Sequence, residues 1–404
     1  MNASGAGAAP RNARFPALTR EQALEWYRRT RERTRALFSI PTPDAYYERP
    51  IPLRNPIVFY DGHLPAFVVN TLVKYGYGKR GVDDGLEVLF ARGIDPESAD
   101  AVDGSAGWPD RDAVRRYVSA ADALIEKTLR EEPVREDLVV MILEHEVMHQ
   151  ETFLYMLHEL PYAKKRGTAR FAGASSMRDT PPDRRVAVPA GVAQLGNCDT
   201  FAWDNELPPQ RVEVEAFEID ALSVTNGRYL AYVEETGAKP PHFWTTVDGR
   251  WYWRGMFAPV PLPLDGPVYV TQEEATAFAR WAGGRLMTEA EWHRAADAAG
   301  TFAAGCFDFA AFDPVPAGSY PPNERGIYDL AGNGWEWTST VFDGFPGFEP
   351  MPSYPQYSVE FFDSAHFVMK GASPVTAREL LRPSFRNWFR PNYPYVYAKF
   401  RLVW

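Results

Sequence analysis

The residues with the clearest metal chemistry lie in the stretch LEHEVMHQETFLYM. His145 and His149 are four residues apart, so on a helix their rings project from one face about one turn apart. Two ligands of one metal ion require this geometry. Glu151 lies roughly 160° around the helix from His149, at about 100° per residue, so it is not an obvious third ligand. The stretch therefore predicts a metal-binding pair whose third ligand comes from elsewhere.

The third ligand must be sought among the other histidines of a chain that has seven. His63 follows Gly62 in FYDGHLPAF, at the start of an apolar helical pattern. Side chains from facing helices of a bundle converge in its core, where three histidines can hold one ion. We therefore predict that His63, His145 and His149 bind a metal. In the alternative, His63 bonds to backbone groups and the other two rings only fill space. Structural roles are expected for the remaining histidines, His158, His242, His293 and His366.

The same stretch also matches the H-E-x-x-H pattern of zinc hydrolases, with Glu146 between His145 and His149. In those enzymes the glutamate is the general base, and the third ligand lies downstream of the helix. The following segment, LYMLHELPYAKKRG, contains no H-x-x-G-x-x-H extension. Glu146 fits a solvated helix position equally well. A zinc hydrolase is therefore a remote alternative, as is a lectin-like binding module with a metal-storing bundle.

The predicted metal ligands lie in the helical half of the chain. Four segments have helical apolar spacing, and Thr19 or a neighbour is a suitable N-cap for the first. The segments are Leu18–Phe38, His63–Gly76, Arg111–Glu131 and Arg135–Leu160. We predict a four-helix bundle over residues 18–162, after a disordered lead-in at 1–17.

The composition and the hydrophobic pattern of the chain change after the fourth helical segment. Residues 163–186 are basic and contain small residues and proline, which is typical of a linker between domains. Residues 187–404 combine short strand-like pieces with long Gly-, Pro- and aromatic-rich loops, and they predict a loop-dominated α+β domain with only two short helices. The strand-like pieces are QRVEVEAFEID, PVYVTQ, HFVMKG and AKFRLVW, and the helical ones are TNGRYLAYVEETG and QEEATAFARWAGG.

Composition excludes several classes of partner. The net charge of −10 disfavours nucleic acid, because a phosphate backbone requires a basic surface. The chain has two cysteines, Cys198 and Cys306, which are far apart and favour neither a disulfide framework nor a thiolate zinc site. The N-terminal stretch lacks the apolar region of a signal peptide, and no apolar run is long enough to cross a bilayer. We expect a cytoplasmic protein without a membrane partner.

Three stretches of the second half resemble the formylglycine-generating-enzyme-like domain, a C-type-lectin-like fold. They are GGRLMTEAEWHRAA, GIYDLAGNGWEWTST and SFRNWFRPNYPYVYAKFRLVW. Met287 stands where that family usually has proline, and Gly334 where it usually has valine. True formylglycine-generating enzymes carry a reactive cysteine pair late in the domain, whereas MKGASPVTARELLRPSFRNW contains no cysteine. The resemblance therefore implies the fold without that activity.

A DinB-like bundle with His-x-x-x-His-x-Glu, followed by this domain, resembles the EgtB-type sulfoxide synthases of ergothioneine biosynthesis and their relatives, the SenA-type selenoneine synthases. The resemblance covers nearly the whole chain from about residue 20. It implies Fe(II) held by His63, His145 and His149, with O₂ and a sulfur or selenium donor as co-substrates. It further implies carbon–chalcogen bond formation at imidazole carbon 2 of hercynine, which is trimethylated histidine. The H-E-x-x-H match is then coincidental.

The resemblance also implies a substrate site. Asn387 and Trp388 match an Arg-Asn-Trp stretch that contacts hercynine in the family, and an aromatic face suits a quaternary ammonium. Phe389 stands where many relatives have an acidic residue for the donor amine, and Met148 where many have glutamine. Both departures favour a donor without an amine, such as a selenosugar, and hence the selenoneine branch. A thiol donor, cysteine or γ-glutamylcysteine, is the alternative.

The family also requires a proton donor, commonly a tyrosine, and groups that anchor carboxylates or sugars. Arg80 and Arg386 are the candidate anchors. Six tyrosines are candidate proton donors: Tyr46, Tyr47, Tyr75, Tyr77, Tyr393 and Tyr395.

Overall fold

The computed structural model describes residues 18–91, 107–167, 184–197 and 201–404. The predicted lead-in at 1–17 and most of the predicted linker at 163–186 lie outside these ranges. In the described part, no helix is long and apolar enough to cross a membrane.

The first half is helical, and the prediction of an N-terminal helical domain is confirmed. Its helices are α1 (Arg20–Leu37), α2 (Ile57–Val68), α3 (Asp84–Leu89), α4 (Arg111–Glu131) and α5 (Glu136–Glu159). Four of them correspond to the predicted segments, and the short α3 is additional. Thr19 caps α1 through a reciprocal pair of hydrogen bonds with Gln22, as its residue type predicts.

Helix α2 differs from its prediction at both ends. It begins at Ile57, so His63 lies inside the helix rather than at its start. Glycine disfavours the middle of a helix, but almost every residue of α2 is buried, Gly62 included, and packing overrides that local preference. Beyond Val68 the chain continues as wider π-helical turns over Val69–Gly76. Such turns often occur near functional sites.

The second half has little regular structure, as expected. Its strands are β1 (Arg185–Val188), β2 (Gly191–Leu195), β3 (Gln210–Val214), β4 (Phe217–Asp220), β5 (Trp244–Val247), β6 (Arg250–Arg254), β7 (Pro259–Pro261), β8 (Gly334–Val341), β9 (Phe367–Ala372), β10 (Asn387–Phe389) and β11 (Ala398–Lys399). The largest sheet has the order β10-β9-β8-β11, and β1 pairs with β4, β2 with β3, and β5 with β6 and β7. This four-stranded sheet presents β8 and β10 toward the helical half.

The prediction of only two short helices in this half was wrong. Helices α6 (Asn226–Thr236) and α7 (Gln272–Ala282) were expected, but α8 (Glu289–Ala296) and the single turn α9 (Gln356–Val359) also form. Thr288 caps α8 through a capping box with Glu291, a signal present in MTEAEW. The predicted strand PVYVTQ forms only single backbone bonds, such as Val270 N to Ala398 O.

Helix α5 joins the two halves. One cluster of buried apolar side chains extends from the bundle into the second domain without interruption. Residues along one face of α5 contact second-domain side chains from Glu144 to Glu159. The other faces of the helix contact α1 and α2. Two of the predicted metal ligands, His145 and His149, are therefore on the helix that both domains share.

Candidate metal centre

The structure brings together the three histidines that the sequence singled out. His63 comes from α2 and His145 and His149 from α5, and all three are buried. One ligand atom from each lies within 4.8 Å of the others. The Nε2 atoms of His145 and His149 are 3.2 Å apart, a spacing that suits two neighbouring ligands of one ion at about 2.1 Å. Among the histidine, cysteine, aspartate and glutamate side chains of the described residues, these three histidines form the group that could hold a metal ion.

The orientation of His63 is set by the backbone. Its Nδ1–H donates to the carbonyl oxygen of Phe90 at 2.6 Å, which leaves Nε2 to face the cluster. A hydrogen bond of this kind fixes the tautomer and ring orientation of a metal-binding histidine. Gly62 makes the contact possible, because a Cβ at that position would lie 2.3 Å from the Phe90 ring.

All three imidazoles are held in the form that binds metals. Burial lowers the pKa of His63 to about 4. Burial also lowers the pKa values of His145 and His149 well below their usual value, and the neighbouring imidazoles add to the effect. Neutral imidazole is the metal-ligating species. The three imidazoles are therefore already neutral near neutral pH and can bind a divalent ion without first losing a proton.

An aromatic shell surrounds the histidines. Phe59 stacks on His63 with ring centroids 4.8 Å apart, and Phe67 stacks on His145 at 3.5 Å. Tyr60 lies 6.0 Å from His149. Such a shell limits access of water and lowers the local dielectric constant around a metal site.

Glu146 does not belong to the histidine cluster. Its Oε1 accepts hydrogen bonds from Arg31 and Thr34 of α1. The expectation of a solvated glutamate was wrong, because Glu146 is almost fully buried in this ion pair. Its carboxylate faces α1, so it is not placed to act as the general base of a zinc hydrolase. The sequence matches H-E-x-x-H, but the side chains are not arranged as that pattern requires in a zinc hydrolase.

The second domain approaches the cluster through tyrosines that the sequence did not single out. The Tyr354 ring lies 6.4 Å from His145 and 5.4 Å from Phe67. The Tyr357 hydroxyl donates to the sulfur of Met148 at 3.4 Å. Burial raises the pKa of Tyr357 well above its usual value. Local sequence gave no sign of these contacts, although PSYPQYSVEFF is unusually rich in rings.

Trp388 and Phe389 of β10 lie in different surroundings, because neighbouring strand residues point to opposite faces of a sheet. Trp388 stacks on Phe342 at 4.1 Å and meets Tyr357 at 5.5 Å. Phe389 faces the other way and stacks on Tyr393 at 4.9 Å. Trp388 is thus connected through Tyr357 to Met148, one residue before a predicted ligand.

Arg54 lies beside Phe389 on the bundle side. Its guanidinium carbon is 5.8 Å from the Phe389 ring centroid, and it donates to the hydroxyls of Tyr155 and Tyr393. Arg54 also lies close enough to His149 to lower its pKa. The surroundings of Phe389 are therefore aromatic and positively charged. Sequence patterns gave no indication of this arginine.

Several other candidates have partners away from the cluster. Arg386 is buried and donates to the backbone oxygens of Asn205 and Asp343, so these contacts hold it within the second domain, and its role as a substrate anchor stays a prediction. Arg80 is exposed.

Four of the candidate tyrosines are engaged elsewhere or exposed: Tyr46 donates to Asp61, Tyr47 to the Pro109 oxygen and Tyr77 to the Pro133 oxygen, and Tyr75 is half exposed. These contacts do not favour the four tyrosines as proton donors, and their assignment stays a prediction.

The last two candidate tyrosines lie on the Arg54 side of the domain seam. Tyr393 accepts a hydrogen bond from Arg54 Nε at 3.1 Å. The Tyr395 ring contacts His242 at 5.0 Å and Tyr393 at 5.2 Å. Tyr393 therefore belongs to the surroundings of Phe389. Tyr395 lies between Tyr393 and His242, which is hydrogen-bonded to Glu159 of α5.

Comparisons with known proteins agree with this architecture. Residues 26–153 match the DinB superfamily, and residues 171–404 match the sulfatase-modifying factor enzyme 1-like domain. The formylglycine-generating enzyme of Bos taurus is 30% identical to this chain over 40% of the chain and 59% of its own length.

Two further relatives match across both domains. The hercynine oxygenase of Mycolicibacterium thermoresistibile is 31% identical, with 92% of each chain covered. Ergothioneine biosynthesis protein 1 of Schizosaccharomyces pombe is 28% identical over 89% of this chain and 53% of its own length. The shared pair of domains, with three histidines gathered in the first, identifies an oxidative enzyme, and the chain belongs to the EgtB-type hercynine oxygenase family.

Proposed function

We propose that this protein binds Fe(II) through His63, His145 and His149 and catalyses the O₂-dependent coupling of hercynine with a thiol at imidazole carbon 2. The C2–H bond of hercynine and the S–H bond of the thiol break as the carbon–sulfur bond forms. O₂ accepts four electrons in total, and one of its oxygen atoms becomes the sulfoxide oxygen while the other leaves as water. The observation that carries the proposal is the buried group of three neutral imidazoles, each backed by an aromatic ring. Bound Fe(II) supplies the one-electron chemistry that O₂ requires. Three protein ligands leave positions for other molecules.

Hercynine is proposed to lie at the seam between the domains, with its trimethylammonium group near Trp388. The Trp388 ring is half-buried and belongs to an aromatic group with Tyr357 and Phe361. Aromatic faces attract a quaternary ammonium more strongly where water is excluded. Since Tyr357 reaches from this group to Met148, a molecule bound there can direct its imidazole toward His149.

Tyr354 and Tyr357 replace the earlier tyrosine candidates as proposed proton donors. Both approach the histidines from the second domain, which is the side proposed for the substrate. A tyrosine hydroxyl is protonated at neutral pH, and burial raises the pKa of Tyr357 further above that range. A protonated hydroxyl can hold a proton near the imidazole ring until one is needed.

A thiol is the better supported donor, because the relatives that match across both domains are named for hercynine and ergothioneine. A selenosugar is a second candidate, favoured by the surroundings of Phe389. The Arg54 guanidinium beside this ring repels the ammonium group of a cysteine-type donor and leaves a neutral sugar unaffected. This second candidate corresponds to the selenoneine branch.

The test is mass analysis of products from hercynine, O₂ and Fe(II), with cysteine, γ-glutamylcysteine and a selenosugar offered in parallel. We expect a product in which the donor atom is bonded to imidazole carbon 2. A sulfur-containing product supports the thiol as donor. A selenium-containing product without any sulfur-containing one supports the selenosugar instead. Absence of any hercynine-derived product from iron-loaded protein would overturn both.

A further inference from the structure

We propose that Glu144 and Glu151 are positioning residues, through which the second domain fixes the rotation of the metal-binding helix α5. The inference rests on the proposed metal site. The two glutamates are seven residues apart, so they lie on one face of α5 two turns apart. They bracket His145 and His149 in the sequence EHEVMHQE. Neither carboxylate belongs to the histidine cluster.

Glu151 is held by three side chains of the second domain. Its Oε1 accepts from Trp335 Nε1 at 2.6 Å and from the Ser373 hydroxyl at 2.7 Å. Its Oε2 accepts from the Thr376 hydroxyl at 2.7 Å. Trp335 belongs to β8, and the two hydroxyls lie just after β9. All three partners are themselves buried.

Glu144 is held in a similar way near the other end of the histidine pair. Arg382 donates to both of its carboxylate oxygens, at 2.7 and 3.0 Å, and Trp203 Nε1 donates at 2.8 Å. A bidentate arginine–carboxylate pair is geometrically specific. Arg382 is anchored in turn by Glu206. Thr376 and Arg382 belong to the same short segment, so one stretch of chain holds both glutamates.

Buried carboxylates are an unusual means of joining two domains. Apolar side chains of the same size would avoid the cost of removing charge from water. Apolar contacts are non-directional, however, whereas hydrogen bonds weaken steeply away from their preferred angles. Six hydrogen bonds to one helix face therefore resist rotation of α5 in a way that apolar packing does not.

Rotation of α5 matters because the third histidine is held independently. His63 is fixed on α2 by Phe90, so the ligand spacing depends on how α5 is turned relative to α2. A rotation of about 10° moves an atom about 6 Å from the helix axis by about 1 Å. Constellations of this kind tolerate only about 0.5 Å. The hydrogen bonds of Glu144 and Glu151 thus determine whether His145 and His149 meet His63 at one ion.

The test uses Co(II) as a spectroscopic probe in the full-length protein after removal of bound metal. Affinity and the visible absorption bands of Co(II) report ligand number and geometry without turnover. We expect Glu151→Ala to weaken Co(II) binding about tenfold or more and to shift the bands. Glu151→Gln should retain most of the wild-type signal, because its amide oxygen still accepts from Trp335. Thr376→Val, which removes one donor, should shift the bands in the same direction by less.

Tyr397→Phe is the matched control. It removes a buried hydrogen bond between the second domain and the same helix, from the Tyr397 hydroxyl to His158 at 2.9 Å, about two turns beyond Glu151. It should leave the Co(II) spectrum unchanged. A folded Glu151→Ala protein with wild-type affinity and bands would overturn this inference alone. If Co(II) binds wild-type protein and His63→Ala protein equally, the proposed metal site itself is wrong.

Discussion

The Nδ1 atom of His63 lies 2.6 Å from the carbonyl oxygen of Phe90, a residue 27 positions further along the chain. This hydrogen bond links α2 to the end of α3 and turns the Nε2 atom of His63 toward α5. The approach depends on Gly62, whose missing side chain leaves room for the Phe90 ring. Orientation of the third ligand is thus determined by the residue beside it.

Gly62→Ala should therefore weaken metal binding without touching a ligand. Its Cβ would lie 2.3 Å from the Phe90 ring, which is fully buried and has little room to move. We expect at least a tenfold loss of Fe(II) affinity, as for other changes behind a metal ligand. Gly107→Ala is the control, because a Cβ there meets no atom of the described residues within 4 Å. Equal iron affinity in both variants would contradict the role of Gly62.

Replacement of any one of His63, His145 and His149 by alanine should abolish iron retention and turnover. The reason is that two imidazoles give fewer bonds than a stable site needs. Each variant loses one buried side chain and some stability, but the rest of the core is unchanged and the chain should still fold. Iron content after gel filtration and circular dichroism measure the two effects. Full iron occupancy in His63→Ala would show that another group is the third ligand.

The sequence predicted this ligand set for a physical reason. Spacing along a helix is local information, so the pairing of His145 with His149 and the exclusion of Glu151 as a ligand followed from angles alone. Among the seven histidines, His63 was predicted as the third ligand because it begins an apolar helical pattern in the same predicted bundle. Its place inside α2 was mispredicted, because the helix begins six residues earlier, at Ile57, and continues through Gly62.

Contacts between distant segments could not be predicted in the same way. Glu146 pairs with Arg31 across 115 positions, and Glu151 meets Trp335 across 184. Tyr357 lies 209 positions from Met148. No periodic pattern within one element specifies such pairs, which depend on how α5 packs against α1 and against the second domain.

Substitution of Glu146 distinguishes a structural role in an oxidative enzyme from a role as the general base of a zinc hydrolase. Glu146→Ala leaves the buried Arg31 guanidinium without one of its carboxylates and should lower the free energy of unfolding by about 3 kcal/mol. Glu146→Gln retains an acceptor for Arg31 and should keep oxidative turnover near that of the wild type. Urea unfolding and the product assay measure the two quantities. Loss of turnover in folded, iron-loaded Glu146→Gln would instead indicate a role in the chemical step.

Trp388→Ala should weaken hercynine binding by about 1 to 2 kcal/mol, because a partly desolvated cation–π contact is lost. Calorimetry with hercynine and iron-loaded protein measures the change. Trp388→Phe is the control, since it keeps a ring beside Tyr357 and should lose less. Unchanged affinity in folded Trp388→Ala would mean that the ring only packs against Phe342.

Phe389→Asp should shift donor preference toward a thiol that carries an amine. A carboxylate at this position can accept a charge-assisted hydrogen bond, worth roughly 1.5 to 3 kcal/mol, from the donor ammonium. Arg54 lies beside the Phe389 ring and competes for the new carboxylate, so we expect the lower end of that range, about a tenfold change in relative kcat/KM.

The measurement is competition between γ-glutamylcysteine and a selenosugar for iron-loaded enzyme, with both products quantified by mass. Phe389→Leu removes the ring without adding charge, which separates the effect of lost stacking on Tyr393 from the effect of the carboxylate. If Phe389→Leu and Phe389→Asp shift the product ratio equally, charge at this position does not select the donor. The preference must then come from groups outside the surroundings of Phe389.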